Sequence, residues 1–114
     1  MKEKRPSSLQ GFTYKTTTGC GKLFVTVNDR EDKPFEVFVT MGKGGGCASA
    51  QSEAIGRLVS LCFRSGIEYK DVIKQLIGIS CHSMVVVDGE KVLSCADAIS
   101  KLIKIHIEGK GDKC

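Results

Sequence analysis

Apolar and polar residues alternate through the first third of the chain. Residues Phe12 to Thr18 (FTYKTTT) are rich in strand formers, and in KLFVTVN the apolar Leu23, Val25 and Val27 alternate with Phe24, Thr26 and Asn28. That period of two belongs to a strand with one buried face. PFEVFVTM repeats it, with Phe35, Val37, Val39 and Met41 on one side. The charged stretch DREDK between the two runs reads as a turn, so Lys22 to Met41 is expected to form a hairpin.

The period then becomes helical. Ile55, Leu58, Val59 and Cys62 stand at i, i+3, i+4 and i+7, on one face of an amphipathic helix. Arg64 suits the negative end of the helix dipole and Gly66 is a good stop. Gly56 inside this helix costs up to ~1 kcal/mol relative to alanine, which implies close packing against another backbone. A second helix spans roughly Glu68 to Ile77 and stops at Gly78. MVVVDGEKVL reads as a short hairpin around Asp88-Gly89, the dipeptide that best supplies a tight turn. A third helix opens at SCADAISKLIKIH, where Ser94 and Asp97 form a capping-box variant and Ile99, Leu102, Ile103 and His106 share a face. The expected fold is α+β, a small antiparallel sheet built from hairpins with about three helices packed on it. It occupies residues 11–107, between a flexible segment at 1–10 and a polar tail at 108–114.

Composition narrows the function classes. A chain of 114 residues, 41% apolar, makes one domain with a single modest core. Much of the +4 net charge lies at the two ends, and no clustered basic face is legible, which argues against a groove that tracks nucleic-acid phosphates. The charged N-terminus lacks the apolar stretch of a secretory signal, and no apolar run approaches the ~18 residues of a membrane span, so a cytoplasmic protein without membrane contact is expected. In a reducing compartment, its six cysteines are metal ligands, reactive thiols or core fillers rather than disulfides.

The glycine-rich stretch MGKGGGCASAQSEAIGRL raises the question of what its loop holds. It satisfies neither G-x-x-x-x-G-K-[ST] nor G-x-G-x-x-G, so nucleotide-phosphate and dinucleotide fingerprints both fail. Successive amides at a helix start still form an anion-binding concavity, from Lys43, Gly44, Gly45 and Gly46, with Arg57 as a further positive group. A thiolate would fit it as well as a phosphate. Cys20 (GCG), Cys47 (GGGCA), Cys81 (GISCH) and Cys95 (LSCAD) each sit in a turn, where amide donors favour the thiolate. Four such sulfurs would satisfy zinc or an iron–sulfur cluster. No C-x-x-C pair exists, however, and each is equally readable as a small buried hydrophobe beside a glycine turn.

The remaining candidates read more simply. Cys62 belongs to a helix core face, Cys114 to an inert terminus or a tail thiol, and His82, next to Cys81, to an exposed loop or an alternative ligand. His106 continues an apolar face as a satisfied, partly buried histidine, while Glu53 complements a helix dipole. No nucleophile–base or paired-carboxylate arrangement can be assembled.

Several blocks together resemble the TSCPD domain, found near the C-terminus of adenosylcobalamin-dependent (class II) ribonucleotide reductases and as short free-standing proteins. The blocks are RPSSLQGFTYKTTTGCGKLFVTVN, PFEVFVTMGKGGGCASAQSEAIGRLVSLCFRSGI, IKQLIGISC and LSCADAI, covering roughly Arg5 to Ile105. The name-giving motif departs here to Leu93-Ser94-Cys95-Ala96-Asp97, keeping Ser, Cys and Asp. The resemblance implies an accessory or detached module of that reductase. Its partner would be the catalytic chain, with adenosylcobalamin only in that partner. The family's cysteine blocks fall on Cys20, Cys47, Cys81 and Cys95, which implies a shared metal or redox site. The cysteine-pair tail of some relatives is reduced to Cys114. Two other readings stand beside it: a free-standing metal- or nucleic-acid-binding regulator, and a small thiol enzyme using Cys47 or Cys95. An unpaired hairpin edge also leaves a homodimer open.

Overall fold

The computed structural model describes residues 3–42 and 46–112. Strands β1 (Gln10–Thr18), β2 (Gly21–Arg30) and β3 (Lys33–Met41) form an antiparallel sheet in that order. Glu31 and Asp32 both take positive φ, 53° and 65°, in the two-residue turn between β2 and β3, which matches the twist of the strands it joins. A second, two-stranded sheet pairs β4 (Val85–Val87) with β5 (Glu90–Val92), and Asp88 and Gly89 repeat the same turn at φ 51° and 81°. Three helices, α1 (Gly46–Arg64), α2 (Tyr69–Leu76) and α3 (Cys95–Asp112), complete the expected α+β arrangement.

Alternation decides which face is dry. Leu23, Val25 and Val27 are fully buried, and the register sets Val25 between Tyr14 and Val39, and Val27 between Phe12 and Val37. Ile99 and Ile103 of α3, both fully buried, belong to the same core cluster. His106 fixes the helix there: its Nδ1 lies 2.7 Å from the Tyr14 hydroxyl and its Nε2 3.0 Å from Asp29. Phe12 and Tyr14 meet the imidazole edge-on, so the buried histidine is satisfied on both nitrogens and around its ring.

Helix α1 turns Ile55, Val59 and Cys62 to the core as expected, while Leu58 faces out. Ser52, Gly56, Val59 and Phe63 are buried, Ile55 and Cys62 are half-buried, and Leu58 is 63% exposed. The helix lies so close to β3 that small side chains, not the largest apolar ones, set the contact. A Cβ on Gly56 would stand 3.3 Å from the Val37 carbonyl oxygen and 3.2 Å from Val39 Cγ2. Ser60 Oγ accepts the Val37 N–H at 2.8 Å and donates to the Val37 carbonyl at 2.9 Å, replacing the next strand at this edge. Ser60→Ala strands both groups, and urea denaturation should show a loss of about 1–3 kcal/mol.

Both chain ends are more structured than expected. Before β1, the Glu3 amide and carbonyl bond to Arg64, and Arg5 makes a two-pronged pair with Glu36 at 2.8 and 2.9 Å. Glu36 is thereby buried on a strand position that alternation assigns to solvent. Helix α3 runs on to Asp112 through the stretch read as a tail, because Ile107 packs on the core and Glu108 accepts the Tyr69 hydroxyl at 3.3 Å.

Candidate functional site

Three segments meet at one end of the sheet: the turn between β1 and β2, the stretch from α2 to β4, and the start of α3. The segment Ser94-Cys95-Ala96-Asp97 ties the last two together. Ser94 Oγ caps α3 by accepting the Asp97 N–H at 3.1 Å and donates to the Ile79 carbonyl at 2.6 Å. The Asp97 carboxylate does not return to Ser94, as a capping box would have it. It accepts the Gly78 N–H at 2.9 Å and the Leu93 N–H at 3.1 Å, and pairs with Lys101 at 2.9 Å. Burial pushes this carboxyl up, but the two amides and the Lys101 ammonium together hold it below its ordinary value. The Cys81 N–H donates to the Leu93 carbonyl at 2.9 Å, which completes the clamp.

The turn between β1 and β2 closes on this clamp through Thr18 and Gly19. Thr18 Oγ1 is buried; it donates to the Gly21 carbonyl and accepts the Cys20 N–H at 3.1 Å and the Cys95 thiol at 3.5 Å. Gly19 lies directly against the neighbouring segment, since a Cβ there would fall 1.6 Å from the Ser83 carbonyl oxygen. Cys81 Sγ accepts the Ser83 N–H at 3.4 Å.

Cys20, Cys81 and Cys95 therefore come together from three separate segments. Cys20 and Cys81 are exposed and Cys95 is half-buried; the Cys20 thiol is pushed up by partial desolvation, then by the neighbouring Cys95 and Cys81. This corrects the expectation that turn amides favour a thiolate: at Cys20, desolvation and like groups win, and the thiol stays protonated at neutral pH.

The other predicted residues are placed less favourably. Cys47, exposed like Cys20 and Cys81, lies in the first turn of α1 with no hydrogen bond to the three sulfurs among the described residues. It does lie towards the same end of the sheet, because β3 finishes at Met41 opposite Leu23 while β2 begins at Gly21. Gly46 opens α1 with a left-handed φ of 45°; Lys43, Gly44, Gly45 and Cys114 lie outside the described residues. Arg57 sits three turns along α1 from Gly46, about 16 Å, and pairs with Glu53 at 2.9 Å. His82 is exposed.

As a ligand set the cluster fits only in part. Among the described residues, no group of three or more His, Cys, Asp or Glu side chains is arranged to hold a metal ion. Sequence reasoning missed Thr18 and Gly19; the signal was the unbroken TTTGCG, a hydroxyl and a residue without Cβ placed just before Cys20.

These features define a small α+β domain that carries converging free thiols on a hydrogen-bonded clamp. The chain belongs to the TSCPD domain family, which matches residues 1–107 and is generally associated with ribonucleotide reductases. No curated protein and no solved structure matches it. Among the described residues, no helix is long and apolar enough to cross a membrane.

Proposed function

We propose that this chain is a cytoplasmic accessory domain of an adenosylcobalamin-dependent ribonucleotide reductase. Its part is to present a metal site built on Cys20, Cys81 and Cys95, with Cys47 in the first turn of α1 as fourth ligand. Family membership over residues 1–107 supports the reductase link. The convergence of three thiols from three segments is the observation that carries the site. Zinc, or an iron–sulfur cluster, suits such soft ligands and would lock the three segments together. Cobalamin and the radical chemistry belong to the catalytic chain of the partner.

A tagged copy expressed in its host should recover the reductase catalytic chain. Recovery of none, from a host that encodes that reductase, would overturn the partnership.

A further inference from the structure

The sheet has a second face. Opposite Leu23, Val25 and Val27, the register lays out Thr17 and Lys22 in one row, Lys15, Phe24 and Thr40 in the next, and Thr13, Thr26 and Phe38 in a third. The residues these rows take from β1 and β3 are all exposed, as is Lys22, and Phe24 and Thr26 of the central strand are half-exposed. A solvent face is ordinarily polar, yet this one carries two phenylalanines, and Phe38 is 53% exposed. They are diagonal neighbours about 7–8 Å apart and do not stack on each other, so each offers a separate ring.

The unpaired charge on this face, among the described residues, is positive. Lys15 stands directly across from Phe24, Lys22 lies two residues along the strand from it, and neither makes an ion pair among the described residues. The next row holds the face's carboxylate, Glu36, which is buried and bound by Arg5 and Asn28. Separate aromatic rings on a face whose carboxylates are already paired, Glu36 with Arg5 and Glu53 with Arg57, and which leaves Lys15 and Lys22 as its unpaired charges among the described residues, match unpaired bases linked by phosphates.

We infer that this face binds single-stranded nucleic acid, stacking bases on Phe24 and Phe38 and holding phosphates with Lys15 and Lys22. Duplex fits poorly, because its bases are already stacked. The inference is independent of the thiol site, which lies where the segments meet at the end of the sheet.

Fluorescence anisotropy with a labelled oligothymidylate tests it on the whole chain. With two phosphate contacts, binding should weaken about sevenfold between about 50 mM and about 200 mM salt. Phe38→Ala, at an exposed position, should weaken it at least about fivefold without changing thermal unfolding. Lys15→Gln with Lys22→Gln should flatten the salt dependence. Three results would overturn the inference. One is no binding at low salt up to about 100 µM protein. A second is equal affinity for duplex, or binding indifferent to Phe38→Ala. The third is a dimer that Phe38→Ala abolishes, with no oligonucleotide bound, which would assign the face to a second copy of the chain.

Discussion

Replacing Asp97 by alanine should remove about 3 kcal/mol of stability, a large part of the 5–15 kcal/mol typical of a domain. The side chain is fully buried, and its loss leaves the Gly78 and Leu93 amides without their acceptor. Each stranded amide costs about 1–3 kcal/mol, while Lys101 is one-third exposed and can turn to water. Asp97→Asn keeps one acceptor oxygen but sets its NH2 against the other amide donor, so it should cost at least about half as much. Urea denaturation of the three proteins checks the order.

The same carboxylate sets an acid limit. Because its pKa is lowered in the folded state, its stabilisation is present above the ordinary carboxylate value and is lost as pH falls through the lowered one. Glu36 acts in the same direction: burial raises it, but hydrogen bonds from Arg5 and Asn28 and the charges of Arg5 and Arg64 bring it below its ordinary value. The stabilisation from these two carboxylates should be full down to about pH 5 and fall away below about pH 4. Asp97→Asn should make that drop shallower.

Gly19→Ala is expected to open the thiol cluster. The new Cβ would lie inside the Ser83 carbonyl, which belongs to backbone and cannot turn aside as a side chain would. The turn carrying Cys20 must then part from the segment carrying Cys81, at a cost of about 1–3 kcal/mol. Alkylation followed by mass spectrometry should show Cys20 and Cys81 reacting faster than in the parent, with Cys62 unchanged. Unchanged rates at all three would mean that Gly19 does not hold the segments together.

Much of this architecture was legible because alternation and burial coincide. Leu23, Val25, Val27, Val37 and Val39 face the core as their period predicts, and Ile99, Ile103 and His106 share a buried face of α3. In α1 the positions of Ile55, Val59 and Cys62 and the close approach at Gly56 were legible, whereas Leu58 faces out because Ser52, Gly56 and Ser60, four residues apart, set the contact with β3. Glu36 could not be placed from its strand alone, since its cover comes from Arg5, thirty-one residues away. The turn positions of the cysteines were readable locally. Their meeting was not, for it depends on Thr18 touching both Cys20 and Cys95, seventy-seven residues apart at the longer reach. The tail was misassigned because Gly109 and Gly111 argue locally against a helix that Ile107 and Glu108 sustain by packing.

The account rests on the thiols acting as one site. Metal analysis by mass spectrometry on anaerobically purified protein, with thiols counted before and after unfolding, tests it most directly. About one zinc, or a stoichiometric iron–sulfur cluster, is expected, with Cys20, Cys47, Cys81 and Cys95 shielded until the chain unfolds. A metal-free protein whose four thiols react at ordinary rates while still folded would contradict it.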